Sequence, residues 1–147
     1  MKVAVDANVI LDVLLKRVPF DAQALPILAL AERGGLSAYL CATTVTTIYY
    51  LLARHGGAKS ARRHVAALLG IFAVAPVDHS VLLAAAQRGW RDYEDAVLHE
   101  AAVEVGAEAI ITRNASDFRK AEVPVYTPDQ FNRLLRTMIE SEDRGSV

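Results

Sequence analysis

Hydrophobic residues in this chain alternate between short β-branched runs and longer stretches where they recur every three to four positions. The first run, Lys2 to Val5, stops at Asp6-Ala7-Asn8, and Val9, Ile10, Val13 and Leu14 then follow at helical spacing. This reads as strand, polar turn, helix. A second helix is predicted from Asp21 to Arg33, with Asp21 at its start and Gly34-Gly35 stopping it. Leu36 to Ala42 reads as a second strand. Val45, Ile48, Tyr49 and Leu52 carry a 3.6-residue period that predicts a helix over Thr43 to Arg54, closed by His55-Gly56-Gly57. From Ala58 to Leu69 the apolar positions share one face, and Lys59, Arg62, Arg63 and His64 fall largely on another. Ile71 to Val77 is a predicted strand, followed by helices over Ser80 to Arg88 and Tyr93 to Val105, the latter ended by Gly106. Ala109 to Thr112 and the surroundings of Val125 supply two more strands. Thr127-Pro128-Asp129-Gln130 has the N-cap, N1 proline and N3 glutamine that open a final helix.

Short strands separated by helix-length connections pair in parallel through right-handed crossovers. The expected fold is therefore an α/β, three-layer α/β/α sandwich with a central, mainly parallel sheet of about five strands. A length of 147 residues with 53% hydrophobic content suits one buried core. Residues 1–140 are expected to form that domain and 141–147 a frayed tail. The longest apolar run, Ala24 to Ala31, contains Pro26 and falls short of the ~20 residues a membrane span requires. Asp6 interrupts any apolar leader, so a cytoplasmic protein with no membrane partner is expected. The single cysteine, Cys41, lies in an apolar stretch and reads as a small core residue.

In an open parallel sheet, ligands bind beyond the carboxyl ends of the strands. Asp6 and Asn8 follow the first strand, and Thr112, Arg113, Asn114 and Asp117 follow the fourth. Asp92 and Asp95, three apart at the opening of a helix, share one face of its first turn, with Glu94 between them. Taken singly, Asp6 and Asp92 also suit helix caps, Asp95 suits the N-terminal dipole, Asp117 suits a turn and Glu94 suits solvent. Converging on one pocket, carboxylates raise one another's pKa unless a cation compensates, which makes a hard divalent ion, Mg²⁺ or Mn²⁺, their natural partner. Such ions position water for attack at phosphorus, so phosphodiester hydrolysis is the chemistry expected.

Three segments carry a resemblance to a known family: Val5-Asp6-Ala7-Asn8-Val9-Ile10-Leu11-Asp12, Asp92-Tyr93-Glu94-Asp95-Ala96, and Thr112-Arg113-Asn114-Ala115-Ser116-Asp117-Phe118. In order and spacing, over nearly the whole chain, they resemble the PIN-domain family. Thr43 to Leu51, with its Tyr49-Tyr50 pair, resembles a subgroup in which Thr47 stands where many members carry glutamate. The resemblance implies that Asp6 and Asp95 bind the ion, that Asp92 and Asp117 are further acidic metal and catalytic residues, and that Asn8, Thr47, Thr112, Arg113 and Asn114 are polar or substrate-side neighbours. It implies a metal-dependent endoribonuclease acting on RNA, a homodimer, and the toxin role of a toxin–antitoxin pair with an antitoxin partner. Two departures, Thr47 for glutamate and Asn114 for aspartate, remove negative ligands.

Other chemistry is thinner. Lys59, Arg62 and Arg63, with Arg54 nearby, suit either a phosphate-binding rim or a solvated helix face. The net charge of −1 gives no global attraction to nucleic acid. His55, His64, His79 and His99 share no zinc spacing. Tyr49 falls on an apolar stripe, whereas Trp90, beside Arg88 and Arg91, is the exposed candidate for base stacking. No glycine-rich phosphate loop follows a strand. A non-catalytic RNA- or protein-binding module is the competing reading, motivated by Thr47 and Asn114. A phosphatase or receiver-like domain is opposed by the lack of an acidic pair directly after the first strand and of a suitably placed lysine.

Overall fold

The computed structural model describes residues 1–146. In chain order its elements are β1 (Lys2–Val5), α1 (Ala7–Leu14), α2 (Phe20–Glu32), β2 (Ser37–Cys41), α3 (Ala42–Gly56) and α4 (Ala58–Ile71). Then come β3 (Ala73–Ala75), α5 (His79–Arg88), α6 (Tyr93–Glu104), β4 (Ala109–Ile111), a 3₁₀ turn (Ala115–Phe118), β5 (Val125–Tyr126) and α7 (Pro128–Gly145). The five strands form one parallel sheet in the order β3-β2-β1-β4-β5.

Strands buried on both faces direct alternate residues into two separate cores. Val3 and Val5 of β1, with Leu40 and Ile111, pack among α1, α2, α3, α4 and α7. Ala4, Cys41, Ala75 and Ile110 pack on the other side against α5, α6 and Phe118. The three-layer arrangement expected from the sequence is what the chain adopts. The chain winds outward from β1 through β2 to β3, then returns past β1 to β4 on the opposite flank. The order of strands thus reverses between β1 and β4, which opens a crevice at their carboxyl ends.

Local differences from the expected elements have physical causes. Helix α4 runs on to Ile71, and Phe72 still donates its N–H to the Leu68 carbonyl, so the third strand shrinks to Ala73–Ala75 before Pro76, which has no N–H for a ladder. Gly57, at φ +89°, joins α3 to α4 with no further residue between them. The 3₁₀ turn at Ala115–Phe118 falls where the sequence shows no periodicity. Helix α7 continues through Gly145, so residues expected to fray from 141 onward are helical up to there; Val147 lies outside the described residues. No helix among the described residues is long and apolar enough to cross a membrane.

One ion pair ties the β4 loop to the first helix. Asp12 of α1 is fully buried, and both its oxygens are taken by Arg113, at 2.7 Å from Nε and 3.0 Å from Nη2. Arg17 approaches at 3.6 Å, and the Arg113 guanidinium lies 4.2 Å from the centroid of the Phe20 ring. A bidentate fork of this kind fixes direction as well as distance. Removing one partner of a buried pair strands the other charge. Arg113→Met is therefore expected to lower stability by about 2–3 kcal/mol, read by urea unfolding. Adding Asp12→Asn to that variant should recover part of the loss. A double-mutant cycle additive to within ~0.5 kcal/mol would show that the pair does not couple the two segments.

Candidate active site

Asp6 stands at the crevice. Its N–H completes the sheet by donating to the Ile111 carbonyl at 2.9 Å, so the residue is placed by β1 and β4 together. Its side chain caps α1, with Oδ1 accepting from the Ala7 N–H at 2.7 Å, and Oδ2 accepts from the Thr112 hydroxyl at 2.7 Å. Thr112 is fully buried; its oxygen accepts from the Asn8 amide at 3.3 Å and from the Asn114 N–H at 3.1 Å, which leaves its proton for Asp6. Asn8 also donates to Asp6 at 3.4 Å and accepts from the Arg113 N–H at 3.1 Å. Burial raises the Asp6 pKa above the usual carboxylate range, the Thr112 and Ala7 hydrogen bonds oppose it, and Glu94 and Asp92 add to the rise.

The opposing wall is the first turn of α6. Because α6 feeds back into β4, its N-terminus lies at the carboxyl edge of the sheet. Asp92 caps it, accepting from the Asp95 N–H at 3.0 Å. Glu94 accepts from the Thr47 hydroxyl of α3 at 2.8 Å. Asp95 itself is half-buried, and its pKa is pushed up to about 7, first by burial and then by Asp92, Asp6, Asp117 and Glu94. Every one of these influences acts in the same direction, although Arg17 also lines the cavity.

Asp6, Asn8, Thr47, Asp92, Glu94, Asp95 and Asn114 line one cavity of about 260 Å³. Asp117 lines the neighbouring, larger cavity, which shares Asp92. Arg113 is directed away from both, into its pair with Asp12. Glu94, read from the sequence as solvated, is exposed yet tied to Thr47 across the cavity. Asp12 carried no signal beyond its place in the first motif. Trp90, expected to be exposed, is half-buried against His99 and Phe118, with ring centroids 5.0 and 5.8 Å away. Tyr49 packs against the core, while Tyr50 is exposed. His99 is fully buried and accepts from the Glu122 N–H at 3.0 Å, and burial lowers its pKa. Cys41 is buried, as expected.

The donor set is all oxygen and carries excess negative charge, which fits a hard cation. Among the described residues, no three carboxylate, imidazole or thiol side chains are gathered as a ready coordination group.

The fold has counterparts elsewhere. The chain superposes on a VapBC2 structure from Rickettsia felis, determined with a promoter DNA fragment, with a TM-score of 0.67 at 12% identity, covering 86% of this chain and 98% of the other. The Mycobacterium tuberculosis toxin VapC20, described as cleaving the sarcin–ricin loop, gives 0.65 at 16% identity over 83% and 98%. FitAcB from Neisseria gonorrhoeae gives 0.64 at 22% identity over 86% and 97%. At these identities the likeness is one of fold. No curated protein sequence matches the chain significantly. The PIN domain family model, however, matches residues 2–116, a span that holds β1 through β4 and the carboxylates Asp6, Asp92, Glu94 and Asp95, and the chain belongs to the PIN-domain family.

Proposed function

We propose that this protein is a divalent-metal-dependent endoribonuclease and the toxin of a toxin–antitoxin pair. The observation that carries the reading is Asp95, a carboxylate held half-buried among Asp6, Asp92, Glu94 and Asp117 with its pKa lifted to about 7. A group so destabilised when ionised, at the crevice of a parallel sheet, marks a functional site more readily than a structural one. Asp6 and Asp95 would hold Mg²⁺ or Mn²⁺, with Asp92 and Asp117 as the further acidic groups. Such an ion, when bound, supplies charge neutralisation and a water activated for attack on a phosphodiester.

The chain's own residues set the stage for that chemistry. Thr112 and the Ala7 N–H orient the two Asp6 oxygens, Asp92 fixes the backbone of Asp95, and Thr47 holds Glu94 toward the same cavity. Asn8 links Asp6 to the loop after β4. The toxin role draws support from solved structures of the same fold, among them the Mycobacterium tuberculosis toxin VapC20 and a toxin–antitoxin complex from Klebsiella pneumoniae. Exposed apolar side chains on α3 (Tyr50, Leu51) and α5 (Leu82, Leu83) offer surface to an antitoxin or a second copy. A binding module without turnover is the second reading, favoured by the hydroxyl of Thr47 where the family commonly has glutamate.

Cleavage of single-stranded and structured RNA with Mg²⁺, Mn²⁺ or EDTA decides between them. The parent protein should cut only with metal, and Asp6→Asn and Asp95→Asn should each lose at least ~100-fold in rate, the scale of removing one essential electrostatic partner. Absent or metal-independent cutting would support the binding module.

The raised Asp95 pKa also has a metal-free signature. Its folded-state value lies above its unfolded value, so its contribution to stability is full below about pH 4 and is lost as pH rises through about 7. With EDTA at pH 8, Asp95→Asn should therefore melt above the parent, by roughly 3–5 °C once solvent screening of this half-exposed group is allowed for. Mn²⁺ should raise the melting temperature of the parent and raise that of the variant far less. A parent that melts above Asp95→Asn in EDTA at pH 8 would contradict the electrostatic account.

A further inference from the structure

A second cavity of about 670 Å³ adjoins the carboxylate site, lined by residues of the Gly89–Asp92 segment before α6 and of the segment after β4 through Lys120. The two cavities share Asp92. Three cations line the larger one, Arg91, Arg119 and Lys120, and all three are exposed. The ion pairs of the described residues involve Arg17, Arg88, His99, Arg113 and Arg133, and none of these three. They remain unpaired although Asp92 and Asp117 line the same cavity. Trp90, packed against His99 and Phe118, supplies an aromatic wall.

The size lies within the ~300–1,000 Å³ of ligand sites, yet a lining dominated by charged residues is wrong for an apolar small molecule. Unpaired cations beside an aromatic ring are what a single nucleic-acid strand requires, the cations meeting phosphates and the ring meeting a base or sugar. The basic face of α4 is no substitute, because Lys59, Arg62 and Arg63 line neither cavity. The geometry points to this cavity as the groove that holds a single RNA strand through its phosphates, at Arg91, Arg119 and Lys120, and leads it past Asp92 to the carboxylates. The inference rests on the nuclease reading for what happens at the carboxylates, but the groove binds with or without cleavage.

Trp90 is the single tryptophan of the chain, so its emission reports on this cavity. The parent protein is titrated in EDTA, which withholds the ion that the proposed hydrolysis needs, with a short single-stranded 2′-O-methyl oligonucleotide across a range of salt. A saturable change in Trp90 emission is expected. The Arg91→Gln, Arg119→Gln, Lys120→Gln triple variant should bind at least ~10-fold more weakly, with the salt slope reduced by about 2, at ~0.7 for each single-strand phosphate that is no longer neutralised. The Lys59→Gln, Arg62→Gln, Arg63→Gln variant should bind like the parent. Each single Gln variant is measured too, and thermal melts establish folding. Parent-like binding by the folded triple variant would overturn the groove, as would loss of binding in the α4 variant instead, or capture of a glutamate-rich peptide in place of the oligonucleotide. If no form cleaves RNA yet the triple variant loses oligonucleotide binding, the nuclease reading fails and the groove stands. If the parent cleaves but the triple variant binds and cuts equally well, the groove alone fails.

Discussion

Holding like charges together at one point of a sheet is the constraint around which this molecule is organised. A carboxylate at Asp6 sits in a crevice where burial favours its protonated form, and the Thr112 hydroxyl and the Ala7 N–H pull the other way. The Ala7 N–H comes from the next residue, at the start of α1, whereas the Thr112 hydroxyl is present because β1 and β4 are neighbours: Val5 pairs with Ile111, so Asp6 and Thr112 emerge side by side. Remove the reversal of strand order and the donor set disperses. The same adjacency places the start of α1 and the start of α6 at one edge, where their N-terminal dipoles favour negative charge.

Those electrostatic gains are partial, and the rest of the structure carries the strain of the remainder. Among the described residues no hydrogen bond to the Asp95 carboxylate offsets its burial or its neighbours' repulsion, and both raise its pKa. The loop after β4 is kept in place despite this by a pair on its far side, Arg113 with the buried Asp12. Arg113 thus has two anchors of different kinds, its backbone N–H on Asn8 and its side chain on Asp12. Site-facing and core-facing interactions thus meet in one residue, next to Thr112.

Much of this architecture was legible in the sequence because period and punctuation agreed. The β-branched run ending at Asp6 and the capping box at Thr127-Gln130 specify their elements through local chemistry alone. Boundaries set by tertiary contact were not legible: α4 runs through Gly70, a local stop signal, to Ile71, with Leu68 buried in the core and the Phe72 N–H still on the Leu68 carbonyl. At the site, Asp6, Asp92 and Asp95 stood out by their places at a strand end and a helix start. Glu94 did not, because its partner Thr47 lies on a helix far away in sequence. Trp90 looked exposed among its charged neighbours, and its partners His99 and Phe118 come from elements that only the fold brings near. Long-range pairing is the information a single sequence withholds.

The Thr47–Glu94 contact gives the departure at position 47 a physical meaning. A glutamate there would project a further negative charge from α3 into a cavity already lined by Asp6, Asp92, Glu94 and Asp95. Threonine supplies a donor instead, and the 2.8 Å bond it makes orients an acid that arrives from α6. The hydroxyl adds no repulsion to Asp95, whereas a fifth carboxylate in the cavity would raise its pKa further. The cavity therefore keeps a carboxylate near α3 while limiting its total charge, and the acid it uses is carried by the same helix turn as Asp92 and Asp95. Three of the four acids in the cavity thereby move with one rigid element, the first turn of α6, and Asp6 faces them from the sheet.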